Sequence, residues 1–255
     1  MLKELQFDGA PVVVTGAGSG IGRGAAQVLG ELGAHVIVTD LDRAKAAETE
    51  KLLKDAGASC ESHGLDVTDR GAIEEFAAAV ADKHDYVKSL VNNAGFAQFG
   101  KATELTDEQW QANVTLNLTS VFRMSKVFMP LLVKSPNGGS IVNTASIFAF
   151  MAFPGTPVYA ATKGGVVSLT RQMAADYGKE GVRINCVCPG ATLTPAVQHD
   201  IDMGYATMDQ LKGRMLIGRI AEIREIGNAI AFLASDASSF ITATALQVDG
   251  GQSLG

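Results

Sequence analysis

Short runs of β-branched and aliphatic residues alternate along the chain with longer stretches whose apolar positions recur at helical spacing. The run Pro11-Val12-Val13-Val14-Thr15 is apolar without alternation and predicts a buried first strand. Residues 20–32 follow as a helix closed by Gly33, then 35–39 as a second strand. A polar helix over 43–55 ends near Gly57, a weaker strand covers 59–65, and an amphipathic helix covers 70–83. A short strand at 89–91 precedes a long helix that starts at Asp107, behind Thr106 as its N-cap, and runs toward Leu132. Strand 140–144, helix 158–177, strand 182–187 stopped by Pro189-Gly190, helix 222–234 and strand 245–248 complete the order.

Continuous apolar strands separated by helices make a parallel sheet covered on both faces. No Pro/Ser-rich linker divides the chain and no repeat appears beyond the βα alternation, so residues 1–255 read as a single domain. Right-handed crossovers give a Rossmann-type doubly wound sheet of about seven strands flanked by helices. In such sheets ligands bind at the carboxyl ends of the strands, near the point where the strand order reverses.

Apolar residues make up 47% of the 255, enough for a sizeable core. A net charge of -6 and a pI of about 5.2 argue against a nucleic-acid or anionic-membrane surface. Cys60, Cys186 and Cys188 form no disulfide framework, and Cys186-Val187-Cys188 reads as two small residues of a buried strand. The four histidines, His35, His63, His84 and His199, are scattered, so surface or capping roles and no metal site are expected. Residues 1–8 resemble neither a signal nor a transit peptide, and no apolar run reaches the roughly 20 residues of a membrane span. The expectation is a soluble, cytoplasmic protein.

Three features carry chemistry. After the first strand comes Thr15-Gly16-Ala17-Gly18-Ser19-Gly20-Ile21-Gly22. Glycines in a strand-to-helix turn let backbone approach a pyrophosphate, and the helix start offers unpaired N–H groups. The spacing is T-G-x-x-x-G-x-G, with Ile21 where G-x-G-x-x-G requires glycine. Asp40 ends the second strand about twenty residues on, where a carboxylate accepts hydrogen bonds from ribose hydroxyls and repels a 2′-phosphate. NAD is therefore favoured over NADP, unless Arg23 or Arg43 folds inward. Asp66-Val67, after the third strand, suits either an adenine amine or a turn before the next helix. Finally, Tyr159 and Lys163 share one helix face. A nearby ammonium lowers a phenol pKa from about 10, which would make Tyr159 a proton donor and acceptor. The same spacing also occurs on ordinary solvated helices.

Taken together, Thr15-Gly16-x-x-x-Gly20-x-Gly22, Asp66, Asn92-Asn93-Ala94-Gly95, Asn117, Ser146, Tyr159-x-x-x-Lys163, Pro189-Gly190 with Thr194, and Asp249-Gly250-Gly251 resemble the classical short-chain dehydrogenase/reductase family over essentially the whole chain. The resemblance implies that Tyr159 is the general acid/base and that Lys163 lowers its pKa and binds the nicotinamide ribose. It implies that Ser146 orients the substrate oxygen and that Asn117 holds a water linking Lys163 to solvent. Gly16, Ser19, Gly20, Ile21 and Gly22 would cradle the cofactor, with Asp40, Asp66, Val67 and Asn93 on its adenosine side. Pro189, Gly190, Thr192 and Thr194 would wrap the nicotinamide. Ala145 stands where a second serine is common, and Asn117, rather than Asn113, lies in the expected Asn-Leu context. The resemblance also implies a homotetramer, or less often a dimer.

The implied reaction is hydride transfer between NAD and a secondary alcohol or ketone. Phe96, Phe99, Phe148, Phe150, Met151 and Phe153 suggest a small apolar or ringed substrate, beneath a lid at about 191–218. The alternatives are an NADPH-dependent ketoreductase of the 3-oxoacyl-carrier-protein type, which Asp40 opposes, and a non-catalytic dinucleotide-binding protein, which would need no Ser-Tyr-Lys set.

Overall fold

The computed structural model describes residues 3–254. Nine strands, β1 (Pro11–Val14), β2 (His35–Asp40), β3 (Cys60–Gly64), β4 (Ser89–Asn92), β5 (Ser140–Thr144), β6 (Arg183–Pro189), β7 (Thr192–Leu193), β8 (Ala221–Glu222) and β9 (Ala245–Val248), occur among them. The helices are α1 (Gly20–Glu31), α2 (Arg43–Asp55), α3 (Arg70–Ala81), α4 (Asp107–Val114), α5 (Ser120–Val133), α6 (Pro157–Tyr177), α7 (Pro195–Asp202), α8 (Met208–Lys212) and α9 (Ile223–Ala234).

Seven strands form one parallel sheet in the order β3-β2-β1-β4-β5-β6-β9. Strand alternation splits most of the interior into two cores, with a smaller third cluster around Val166, Val167, Cys186 and Cys188. Val12 and Val14 of β1, with Val36, Val38 and Val91, pack beneath α1 and α9. Val13, with Ile37, Leu90, Ile141 and Ile184, packs on the other face beneath α3, α5 and α6. Burial on both faces explains why these strands read as unbroken apolar runs. Between the layers, Asn92 Nδ2 donates to Asn143 Oδ1 (2.9 Å) and Asn143 Nδ2 to Thr170 Oγ1 (2.9 Å), which ties β4, β5 and α6 together.

Side-chain caps set most helix starts. Asp42 caps α2, Asp69 caps α3, and Thr106 forms a capping box with Gln109 at the start of α4. The expected helix from Asp107 to Leu132 is interrupted by a π turn at Thr115–Thr119, so it continues from α4 into α5 with a changed register. The strand order reverses beside β1, which has β2 on one side and β4 on the other. The histidines depart from expectation. His35, His63 and His84 are not scattered in space but converge around Glu61. Within 191–218, β7 pairs with β8 and so ties the base of the segment to the start of α9. None of the described helices is long and apolar enough to cross a membrane.

Candidate active site

The carboxyl ends of the strands open onto a cleft of about 480 Å³. Gly16, Ser19, Gly20 and Ile21 reach it from the turn after β1, Asp40 from β2, Asp66 and Val67 from behind β3, and Asn93 from behind β4. Tyr159 and Lys163 enter from α6, and Thr194 from the corner before α7.

The turn after β1 is built for close approach. Gly16 has φ +62°, and a methyl group on it would lie 2.8 Å from Ala94 Cα. A methyl on Gly22 would lie 2.2 Å from the Gly16 carbonyl oxygen, so the turn folds directly onto the first turn of α1. Ser19 occupies the N-cap of α1 but makes no capping hydrogen bond, unlike Asp42, Asp69 and Thr106 on their helices. The positive end of α1 therefore meets the cleft without a side-chain acceptor, a setting that favours an anionic phosphate group. Asn93 fastens this turn to β4. Its Nδ2 donates to the carbonyls of Thr15 (3.0 Å) and Gly16 (3.2 Å), while the Thr15 hydroxyl accepts from Asn93 N (3.0 Å).

Asp40 accepts from Gly18 N at 2.9 Å through one oxygen and from Asp42 N at 3.0 Å through the other. Each carboxylate oxygen retains a further lone pair for a hydroxyl donor. Arg23 is held toward α2. Its Nε donates to Thr49 Oγ1 (2.9 Å), and its Nη2 bonds the Gly18 carbonyl and pairs with Glu48 (3.2 Å). Asp66 accepts from the Thr68 amide (2.8 Å) and hydroxyl (2.7 Å) through a single oxygen, a turn motif, while the cap of α3 belongs to Asp69.

At the far end, Pro157 opens α6 and sets Tyr159 and Lys163 one turn apart. Lys163 Nζ lies 5.5 Å from the centre of the Tyr159 ring and donates to the Thr144 carbonyl at 2.7 Å. Ser146, just beyond β5, is buried close to the Tyr159 hydroxyl, and its own hydroxyl accepts from Phe148 N at 3.2 Å. Asn117 is fully buried in the π turn, where it grips the backbone of Phe96: its Nδ2 donates to the carbonyl (2.9 Å) and its Oδ1 accepts from the amide (3.0 Å). Asn113 is its partner rather than its competitor, accepting from Asn117 Nδ2 at 3.0 Å. A methyl on Gly95 would sit 2.6 Å from Asn117 Oδ1 and 3.5 Å from Lys163 Nζ, so these two groups meet around a bare backbone.

The electrostatics depart from the expected effect of a Tyr-Lys pair. Burial pushes the Tyr159 phenol up to about 12, and the nearby Ser146 hydroxyl acts the other way. Burial also brings the Lys163 ammonium down to about 8, while the nearby thiols Cys188 and Cys186 act weakly the other way. Loss of solvation thus outweighs the attraction between phenolate and ammonium. At neutral pH the pair is a phenol beside a largely charged ammonium.

The remaining predicted residues lie behind the cleft wall. Gly22 and Asn117 support it as described, and Ser146 is buried beside Tyr159. Pro189 ends β6 opposite Val248, and Gly190 backs onto Asp249, where a methyl would lie 2.9 Å from Asp249 Cα. Thr192 is buried, and its hydroxyl donates to the Gly190 carbonyl (3.0 Å). Thr194 caps α7 by accepting from Val197 N (3.3 Å) and also faces the cleft. Leu116 and Thr144 line the cleft without having been foreseen. Thr144 contributes a main-chain carbonyl, for which no side-chain signal exists. Next to the reactive end, Phe148 stacks on Phe153 (5.2 Å, 7°) and meets the Tyr159 ring edge-on (6.1 Å, 85°). The Arg214 guanidinium lies 4.8 Å from the Phe153 ring centre.

The family model described as enoyl-(acyl carrier protein) reductase matches residues 16–253. The chain is 34% identical over 253 residues to dehydrogenase/reductase SDR family member 6 of Rattus norvegicus, covering 98% of this chain and 99% of the relative. The chain belongs to the short-chain dehydrogenase/reductase family. Among its relatives in that family are the meso-2,3-butanediol dehydrogenase of Serratia marcescens, 37% identical over 97% of this chain and 96% of its own, and the 3-oxoacyl-[acyl-carrier-protein] reductase of Thermotoga maritima, 32% identical over 97% and 99%. The crystal structure of gox2181 superposes with a TM-score of 0.94 at 29% identity, covering 99% of each chain. As a short-chain dehydrogenase/reductase, this chain is an oxidoreductase that works on an alcohol or ketone with a nicotinamide dinucleotide. A glycine turn closed against added methyls and the uncapped start of α1 both fit a pyrophosphate.

Proposed function

We propose that this chain is an NAD-preferring dehydrogenase/reductase of a secondary alcohol or ketone, with Tyr159, Ser146, Lys163 and Asn117 as its working set. The observation that carries the reading is the meeting of Tyr159, Ser146 and Lys163 at one end of a cleft whose other end holds the uncapped start of α1 and Asp40. When bound, the nicotinamide supplies or accepts the hydride. Tyr159, a neutral phenol at pH 7, donates its proton to the carbonyl oxygen in reduction; in oxidation it first releases that proton to solvent, and the phenolate so formed takes the proton of the alcohol. Ser146 holds the substrate oxygen next to that hydroxyl. Lys163, fixed by the Thr144 carbonyl, keeps a positive charge beside the phenolate as it forms. Asn117 holds the π turn and the Phe96 backbone in place around Lys163.

Asp40 supports the NAD preference. A 2′-phosphate would meet its carboxylate, and Arg23 is occupied by Glu48 and Thr49. Asp66 and Val67 flank the adenine end, and Pro189 to Thr194 form the nicotinamide side. The stacked Phe148 and Phe153 beside Tyr159 favour an apolar or ringed substrate. Residues 191–218 act as its lid, with Met203, Tyr205, Leu216 and Ile217 exposed as its apolar face. The exposed Trp110 of α4 and Phe122 of α5 support assembly through these helices into a tetramer. The relative named as a 3-oxoacyl-[acyl-carrier-protein] reductase favours a second reading, NADPH-dependent ketone reduction. Initial rates with NAD and NADP across a panel of secondary alcohols and ketones, followed by reduced-nicotinamide absorbance, decide between them. A strong NADP preference overturns the cofactor assignment.

A further inference from the structure

A second cluster of functional side chains lies at the opposite end of β2 from the cleft. His35 starts β2, Glu61 and His63 lie on β3, and His84 follows α3. The strand register brings them together. Ile37 pairs with Glu61 and Thr39 with His63, so His35, Ile37, Glu61 and His63 share the sheet face that packs beneath α3. After α3 the backbone turns back, with the His84 amide bonded to the Val80 carbonyl at 2.9 Å, and returns His84 to that face.

We propose that His35, Glu61 and His84, with His63 beside them, form a site for a zinc-class divalent transition-metal ion. One donor atom each from His35, Glu61 and His84 lie within 4.8 Å of one another. Glu61 Oε1 is also 3.2 Å from His63 Nε2 and 4.0 Å from His84 Nε2. These three atoms, Glu61 Oε1, His63 Nε2 and His84 Nε2, are buried and make no hydrogen bond among the described residues. Leaving a buried polar atom unpaired costs about 1–3 kcal/mol, and two of these atoms belong to Glu61 and His84, members of the converging group. A single cation accepts a lone pair from each of His35, Glu61 and His84 at once.

The surroundings prepare the donors for a metal. His35 Nδ1 is engaged by the Ser59 hydroxyl at 2.7 Å, which leaves Nε2 as its ligand atom and fixes the ring. Lys83 takes the other oxygen of Glu61 at 2.6 Å, which directs Oε1 toward the imidazoles. A tetrahedral zinc ion with bonds of about 2.0–2.1 Å sets donors about 3.3 Å apart, so closure needs ring rotations that move the donors by about 1 Å. Imidazole-rich donors select zinc, cobalt, nickel or copper over magnesium and calcium. The ion would clamp β2, β3 and the end of α3 at the sheet edge. Because the cleft lies at the other end of the strands, its role is structural.

The test uses the full-length chain, free of tags and stripped of metal with a chelator. Zinc and cobalt(II) are titrated by calorimetry, metal content is measured after dialysis, and thermal midpoints are taken with and without zinc. One ion per chain, a cobalt spectrum typical of tetrahedral coordination and a zinc-dependent rise in midpoint are expected. His84→Ala and His35→Gln should each weaken binding by roughly 10–100-fold or more and remove the zinc-dependent rise, while His199→Ala leaves both unchanged. If His84→Ala does not fold, His84→Gln takes its place. Absence of saturable binding, or binding that survives both His35→Gln and the His84 change, overturns the proposal. A histidine-carboxylate cluster that responds only to protons gives the first of these results.

Discussion

Replacing Lys163 by Met should make the protein more stable at pH 7 while disabling it. Lys163 is 4% exposed, and among the described residues its ammonium has one hydrogen-bond partner, the Thr144 carbonyl at 2.7 Å. Burial lowers its pKa from 10.5 to about 8, which corresponds to about 3.4 kcal/mol. At pH 7 the lysine is charged in both folded and unfolded chains, so the folded state carries that whole cost. Methionine has a similar length and no charge to bury. Against this gain stands the Thr144 carbonyl, which loses its donor at a cost of about 1–3 kcal/mol. The balance is a gain of about 0.5–2.5 kcal/mol for the variant.

The sign with pH follows from the lowered value. Between about 8 and 10.5 the unfolded lysine holds a proton that the folded one has released, so wild-type stability rises with pH in that window. By pH 9.5 the cost has fallen to about 1.4 kcal/mol, and the wild type regains about 2 kcal/mol on the variant. Urea unfolding of both proteins at one protein concentration, at pH 7 and 9.5, measures the two differences. A variant less stable than wild type at pH 7, with a gap that does not change with pH, would refute the reasoning. That outcome would mean the ammonium is well solvated in the cleft.

Tyr159→Phe should lower kcat by about 10²–10⁴-fold and leave cofactor affinity within a few-fold, measured by steady-state rates and fluorescence titration. Retained turnover would remove Tyr159 from the chemistry. Asp40→Ala should lower the ratio of kcat/KM for NAD over NADP by about 10–100-fold, as expected for loss of charge-assisted hydrogen bonds and of a repulsion; an unchanged ratio places the discrimination elsewhere. Because Lys163 discharges near pH 8 while Tyr159 stays protonated to about 12, ketone reduction should hold between pH 6 and 7 and fall across pH 8. A kcat/KM profile flat from pH 7 to 9 contradicts that order. In Gly22→Ala, the new methyl would lie 2.2 Å from the Gly16 carbonyl oxygen. A strain of about 1–3 kcal/mol should lower the thermal midpoint by roughly 2–12 °C and weaken stabilisation by the cofactor, both read by scanning fluorimetry.

The sheet was legible because its central strands are buried on both faces, and β1 and β2 in particular are written in valine and isoleucine. The π turn was not. Thr115-Leu116-Asn117-Leu118-Thr119 keeps helical periodicity, and what changes the register is the grip of Asn117 on the Phe96 backbone, a contact between distant segments. The glycine turn, Asp40 and the Tyr-Lys spacing were visible as residue types at the ends of predicted elements. The Thr144 carbonyl that anchors Lys163 was invisible, since any residue supplies a carbonyl. The direction of the Tyr159 shift was also beyond local sequence. Spacing alone indicates a neighbouring charge, whereas the depth of burial, which dominates, is set by tertiary packing.

The histidine cluster shows the same limit from the other side. His35 and Asp40 bound one strand, β2, yet serve opposite ends of the molecule. Over six residues at about 3.3 Å each, their Cα atoms lie roughly 16 Å apart. Both are readable as strand-end polar residues, but only the register against β3 reveals that His35 joins Glu61 and His84. A rigid strand buried on both faces transmits little change in shape between its ends. An ion held at His35 therefore adds its binding energy to the folded state without moving Asp40, and stability and cofactor choice should respond to separate sets of substitutions.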